Sequence, residues 1–530
     1  MFSASKIAAP SGGGYNLTRS LRFRASASAY LSRTNTGTVT NNAVWTWSAW
    51  VKIGYWSPGN AAVLFGNGNG GSNECTIKFT NNQLEVINYA SSTVQARRIT
   101  TQVFRDPSAW YHIVVASNSS TALNIYVNGV QVTSFGTSTG PSAAAWALNT
   151  ASAATNIGFA TGLVYFDGYM TEVNFIDGQA LTPSSFGSTN STTGVWQPAR
   201  YTGTYGTNGF YLPFTDNSAL TTSSNVGLGK DFSGNGNYWN TNNISLTSGV
   251  TYDSMTDVPT LTSATAANFA VLNPLDFANS NLAASNANLT CTNNGGSGNA
   301  QIRASIALPS TGKFYWETKN TGSANNFSMG ITTLTASLSV EGAGDVLYNE
   351  NGVINNNGTT TSGYATLALG DIVGVAVDVD ANKIYWYKNN TLVNSGGTTI
   401  NITAPFAPMF GFYTTGNAQS VTFGQQPFTY TPPSGYVALN TYNIAAGSVT
   451  TIGTFTGNSN ANGPFVYLNG VPTAMTINGS AVTFGTDADK LSNGFKVRSS
   501  SATYNLSGLN AYVVTTTGAV FKYANAQGNP

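Results

Sequence analysis

Residues 370–390 read GDIVGVAVDVDANKIYWYKNN. Apolar and polar positions alternate, a short Asp-Ala-Asn turn at 380–382 follows, and the alternation resumes with aromatic side chains. A period of two on both sides of a turn predicts a β-hairpin with one buried face. On the second strand it buries Ile384 and Trp386 and exposes Tyr385 and Tyr387. Asp378 and Asp380 flank the turn and are expected to form it and to guard its edge. The same grammar runs along the chain, with Asn-Gly pairs at 128–129, 469–470 and 478–479 in the role of two-residue hairpin turns. The best helical stretch, ATAANFAVLN at 264–273, is short and interrupted. Many short strands at such spacing predict an all-β chain.

At 530 residues the chain is too long for one core, and roughly 150 residues per domain gives about three or four. Hydrophobic residues make up 41%, enough to fill those cores, whereas charged residues make up only 8%, against about 25% in ordinary soluble domains. Gly, Ser, Thr and Asn replace them, so solubility rests on hydroxyl and amide groups that salt and pH leave unchanged. The 21 basic and 20 acidic residues leave no field to steer a polyanion, and nucleic-acid binding is not expected. Cys75 and Cys291 are too far apart in sequence to form a disulfide framework and read as two thiols of a protein made in a reducing cytoplasm. The start, MFSASKIAAPSGGGYN, carries no apolar signal core. No run of about 18 apolar residues predicts membrane insertion.

The chain divides into an extended N-terminal arm (1–16), an aromatic-rich block (17–215), a Gly/Asn-rich connector (216–267), a second aromatic-rich block (268–440) and a small C-terminal β domain (441–530). In the first block the order is SLRFRASASAYLSRT (20–34), WTWSAWVKI (45–53), LFGNGN (64–69), WYHIVVASNSSTALNIYVNGVQV (110–132) and FDGYMTEVNFIDGQALTP (166–183). This succession resembles the laminin-G-like, concanavalin-A-like lectin sandwich. In the second block GKFYWETKN (312–320), FSMGI (327–331), the opening hairpin, PFAPMFGFY (405–413) and VTFGQQPFTYTPPSGYVAL (421–439) resemble a SPRY domain. The hairpin departs from that family in carrying Asn389-Asn390 after the aromatic strand in place of Asn-Gly. The expected architecture is tandem antiparallel β-sandwiches of jelly-roll type with the small C-terminal β domain.

The lectin resemblance covers sugar binders and glycosidases. Glycoside hydrolysis uses two carboxyls facing one bond, and the family's Glu-x-Asp-x-x-Glu strand is absent here. Glu172 and Asp177 differ by an odd offset and fall on opposite faces, so Glu172 is read as structural. The single histidine, His112 in WYHIVV, lies in a strand without a marked nucleophile and is read as packing. Glu341, Asp345 and Glu350 are read as solvated loop charges in a Gly/Asn-rich segment (332–364). No cofactor is expected; the lectin resemblance leaves calcium open. Aromatic residues among polar loops fit stacking on a sugar, and the candidate ligand-binding set is Tyr348, Asn351, Tyr364, Tyr413 and Trp239.

A lectin-like sandwich, a connector carrying DFSGNGN and DVPT, and a SPRY-like sandwich resemble large structural proteins of tailed bacteriophages. That resemblance implies a non-enzymatic tail-fibre or adhesin-type protein on the virion surface, made in the host cytoplasm. It would contact other virion proteins and a host surface polysaccharide or receptor, and act as a homo-oligomer. A capsid decoration or head-fibre role is the alternative, and a glycan-cleaving enzyme a minor one.

Overall fold

The computed structural model describes residues 15–444 apart from 55–60, 69–72, 120, 143–145, 191–193, 279–280, 297 and 324–325, and five further strands between 466 and 521. Among the described residues the secondary structure is β, with three short 3-10 turns. Among the described residues no helix is long and apolar enough to cross a membrane. Residues 1–14 of the expected arm (1–16) and the Asn478-Gly479 pair lie outside the described residues.

The first sandwich has two antiparallel sheets. One is centred on Val44–Ile53, with Trp110–Asn118 on one side and Gly168–Asp177 on the other. The second runs from Phe135–Thr139 through Cys75–Thr80 and Ala61–Asn67 to Tyr30–Thr34. Trp45, Trp47, Phe65, Ile77, Ile113, Ile125 and Phe175 fill the space between them. Burial alternates along Ala122–Val127: Leu123, Ile125 and Val127 are buried, and Asn124 and Tyr126 are partly exposed.

The connector is not a spacer. Asn240–Asn242 extends one sheet beside Tyr30–Thr34, and Ser254–Met255 extends the other beside Ser20–Phe23. Its Gly/Asn richness serves tight packing. A Cβ at Gly229 would fall 1.8 Å from the Trp239 carbonyl oxygen, and Gly227 holds a φ of +69°. Asp253 accepts from Arg22 Nε (3.0 Å) and from both Arg24 Nε (2.8 Å) and Nη2 (3.0 Å), locking the segment to the first strand. The first sandwich therefore runs beyond 215 to about residue 255.

In the second sandwich one sheet runs Leu272–Phe277, Ala300–Ala304, Phe406–Phe412, Phe327–Thr333, Asp345–Asn349, Ile354–Asn356, Thr359–Thr361. The other runs Leu282–Ser285, Thr290–Asn293, Ala418–Thr422, Lys313–Asn320, Ile372–Asp378, Lys383–Lys388, Thr391–Leu392. The opening hairpin forms in the expected register, from Val373 opposite Lys388 to Asp378 opposite Lys383. Ile384 and Trp386 are fully buried. Asp378 Oδ1 accepts from Ala381 N across the turn, and Asp380 Oδ1 accepts from Gly312 N. Asn389 and Asn390 both take positive φ (46° and 69°), the geometry a two-residue hairpin turn requires. Asn469-Gly470, by contrast, lies inside the Val466–Ile477 strand at a shift in register.

The two sandwiches share a dry, bonded interface. Lys52 Nζ, fully buried, donates to Asp257 Oδ2 (2.7 Å), Asn268 Oδ1 (2.8 Å) and the Phe269 carbonyl (2.9 Å). Trp110 Nε1 donates to the other Asp257 oxygen at 3.0 Å. Tyr169 donates to the Ala287 carbonyl (3.0 Å), and Asp167 accepts from Ala287 N (2.7 Å). Trp50, Trp110 and Tyr169 pack in the same apolar cluster as Phe269, Leu289 and Phe423 of the second sandwich. Cys75 and Cys291 are free, buried thiols, one in each core.

Candidate functional sites

His112 is the group with the clearest catalytic look, because its Nε2 lies 2.9 Å from Ser48 Oγ. Its other nitrogen decides the chemistry. Trp196 Nε1 donates to Nδ1 at 2.9 Å, and an indole N–H can only donate. Nδ1 therefore carries no proton, Nε2 does, and Ser48 receives a hydrogen bond. A serine nucleophile needs the reverse polarity, with a carboxylate at Nδ1 and a bare Nε2 facing the hydroxyl. The imidazole is stacked between Trp50 (5.0 Å between centroids) and Trp196 (5.9 Å), and burial pushes its pKa down to about 3. It is a packed, neutral ring, as the sequence reading held.

Glu172 occupies a bulge in Gly168–Asp177, with φ of +54° and a register shift between Thr171 and Asn174. Tyr211 and Tyr15 donate their hydroxyls to its carboxylate at 2.5 and 3.1 Å. The Arg200 guanidinium lies 3.9 Å from the Tyr211 ring centroid. Burial is the main cause that raises Glu172 to about pKa 7, opposed by the two tyrosine hydrogen bonds. Asp177, at the strand end, accepts from Thr40 N, Asn41 N, Asn149 Nδ2 and Asn208 N. The two carboxylates serve separate internal networks, and neither opens toward a second carboxyl across a cleft.

The residues proposed from sequence fare unevenly. Trp239 is 0% exposed and meets Phe210 edge-on at 4.8 Å in the first core. Tyr348 is also 0% exposed, lies 5.8 Å from Trp386 and donates to the Ala365 carbonyl. Both were expected among exposed loops and are core residues. Their polar neighbours in sequence mark turns, while their own side chains close a sheet. Tyr413 is partly buried and donates to Glu341. Asn349 and Asn355 also donate to Glu341, at 2.9 and 3.2 Å. This network pins the 334–342 segment. Asn351 is exposed and Tyr364 partly so; the Tyr364 N–H bonds the Gly352 carbonyl at 3.1 Å, which brings these two together.

The segment 332–364 carries three strands, and its acids are engaged. Asp345 is fully buried and accepts from Gly342 N, and Glu350 accepts from Phe327 N. Burial raises both. Among the described residues no group of three metal-ligating side chains converges.

A cleft that sequence reasoning missed opens at one end of the second sandwich, with a volume of about 460 Å³. Thr333, Leu334, Asn357, Asn401 and Pro405 line it, and none of the lining residues is charged. Asn357 bridges its walls, accepting from Gly344 N (2.9 Å) and donating to the Asn401 carbonyl (3.0 Å). The walls come from segments more than 40 residues apart, so no local pattern marks them.

Residues 25–185 match the model of the concanavalin A-like lectin/glucanases superfamily, and residues 302–426 match the SPRY domain model. The two matched regions do not overlap and fall one in each sandwich. Similar solved structures include the SPRY domain of human HERC1, with 16% identity, covering 28% of this chain and 96% of that one at a TM-score of 0.24. The TRIM65 PSpry domain follows with 15% identity, 29% and 92% coverage and a TM-score of 0.23. Stonustoxin has 17% identity, 29% and 27% coverage and a TM-score of 0.23. No curated protein matches the chain.

Proposed function

We propose that this chain is a non-enzymatic binding protein of a virus particle, of the tail-fibre or adhesin type, which contacts a glycan or receptor on the host surface. The observation that carries this reading is the fate of its reactive groups. His112, Glu172 and Asp177 are each consumed by internal hydrogen bonds, while the accessible cleft is uncharged. Lectin-like and SPRY domains in one chain fit a binding or adhesion role. A rigid double sandwich that holds loops at its surface suits display.

The test is competition. Purified chain, added to susceptible cells before the particles, is expected to reduce particle adsorption in proportion to its occupancy. Unchanged adsorption, together with cryo-electron microscopy placing both sandwiches flat on the capsid shell, would replace this reading with capsid decoration.

A further inference from the structure

The outer face of the sheet that contains the opening hairpin carries a group of tyrosines. Register sets Tyr315, Ala376 and Tyr385 in one line across three strands, and Glu317, Gly374, Tyr387 and Leu392 in the next. The small middle residues are needed, because the Tyr315 ring lies across Gly374 and a Cβ there would fall 2.8 Å from it. Tyr385 rests in the same way on Gly397. Tyr315 itself is buried edge-on to Phe428 at 5.0 Å and donates to Glu317. The Glu317 carboxylate is then filled by the Thr429 and Tyr430 amides, both at 2.8 Å.

Above that floor stand Tyr385, Tyr387, Tyr430 and Tyr436, all partly exposed. Tyr436 is within electrostatic range of both Tyr385 and Tyr387. Tyr169, Tyr211, Tyr348 and Tyr413 all hydrogen-bond through their hydroxyls. The hydroxyls of the four outer tyrosines have no protein partner among the described residues.

The cations of this face are all hydrogen-bonded, and two of the three pair with acids. Lys313 pairs with Asp378 at 2.8 Å, Lys388 with Asp371 at 3.2 Å, and Lys383 donates to Thr399 Oγ1 at 2.9 Å. The exposed aliphatic residues, Leu392 and Val437, border opposite sides, so phenol hydroxyls break up the apolar area. A partner here meets π-faces and neutral hydroxyls, with no deep apolar pocket of the kind a protein anchor fills.

We propose that this face is a platform for a neutral carbohydrate, stacked on Tyr385 and Tyr387 and hydrogen-bonded through the unpartnered hydroxyls of Tyr430 and Tyr436. The two rings are two residues apart on one strand, about 6.8 Å, so successive sugar units meet successive rings. Phenols suit the task because one end of the side chain is apolar and the other polar. The proposal rests on the binding reading above and adds the ligand class and the surface.

Affinity electrophoresis of the full chain tests it, in gels containing dextran, mannan or galactan, with dextran sulfate as the charged comparison. Retardation by at least one neutral polysaccharide is expected. It should weaken by about tenfold in Tyr387→Ala and change little in Tyr387→Phe, which keeps the ring. Tyr436→Phe removes one hydroxyl and leaves the fold intact; a loss of a few-fold is expected. Equal retardation of wild type and variants would overturn the assignment of this face, and if the chain still blocked particle adsorption the broader binding reading would stand. No retardation by any neutral polymer, or retardation by dextran sulfate alone, would overturn the neutral-sugar class. A concentration-dependent rise in mass by light scattering that Tyr387→Ala abolishes would give the face to a second copy of the chain.

Discussion

Replacing Lys52 by methionine removes the cation that joins the two sandwiches and leaves the Asp257 carboxylate buried without its counter-charge, still bonded by Trp110. Burial pushes Lys52 down and Asp257 up, each opposed by the charge of the other, so the pair is costly to keep and more costly to break. Removing one partner of a buried ion pair costs about 3–5 kcal/mol. If residues 15–444 unfold as one unit, the entropy of unfolding is roughly 0.9 kcal/mol/K, at about 2.1 cal/mol/K per residue. The midpoint then falls by about 3–6 °C. Differential scanning calorimetry on the full chain is the assay. The double variant Lys52→Met/Asp257→Asn, which leaves no buried charge and keeps the acceptor for Trp110, should recover about half of the loss. A drop below about 1 °C, or two separate endotherms for the sandwiches in the wild type, would refute the claim that this contact binds them into one cooperative body.

Other consequences follow from the same interior. His112→Phe keeps the stack between Trp50 and Trp196 but strands the Trp196 N–H and the Ser48 hydroxyl, at about 1–3 kcal/mol for each group; denaturant unfolding should show the loss. Asp167, which accepts from Ala287 N, is raised by burial to about pKa 7. A carboxyl with its folded value above its unfolded one contributes stability below about pH 4 that is lost as pH rises through 7. Asp167→Asn should therefore gain on the wild type between pH 5 and pH 8 in thermal melts, and parallel pH curves would contradict this. Burial raises both thiols, so a disulfide reagent such as DTNB should label neither Cys75 nor Cys291 in the native protein and both after denaturation.

The opening hairpin was legible because nothing beyond its own residues decides it: a period of two, a turn with Asp and Asn, and one apolar face. Trp239 and Tyr348 were misread for the opposite reason. Each sits among Gly, Asn and Thr, and only the closure of a sheet tens or hundreds of residues away buries it. The interface was hidden more completely. Lys52 and Asp257 are 205 residues apart, one in a Trp-rich strand and one in an apparent linker, and isolated charges normally read as surface. Glu172 and Asp177 were placed on opposite faces by counting, but Glu172 lies inside the Thr171–Asn174 bulge, whose extra residue upsets the parity, so it is their separate hydrogen-bond partners that keep the two carboxylates apart. The exposure of Tyr385 and Tyr387 also followed from alternation. What alternation could not supply was the glycine floor beneath Tyr315 and Tyr385 or the approach of Tyr436, which depend on the neighbouring strand and the far loop.

The scarcity of charge links stability to recognition. With 8% charged residues, several of the ions present are spent inside: Arg22 and Arg24 on Asp253, Lys52 on Asp257, Lys78 on Glu74. Of those near the tyrosine face, Lys313 pairs with Asp378 and Lys388 with Asp371. Such a surface cannot draw a ligand by long-range field, and it loses nothing when salt screens that field. Short-range contacts remain, namely stacking and hydrogen bonds from hydroxyl and amide groups. Adsorption through this chain should therefore change little between about 0.05 and 0.5 M salt. A steep decline over that range would mean that an ionic contact outside the described residues carries the binding, and the weight placed on the tyrosine face would move there.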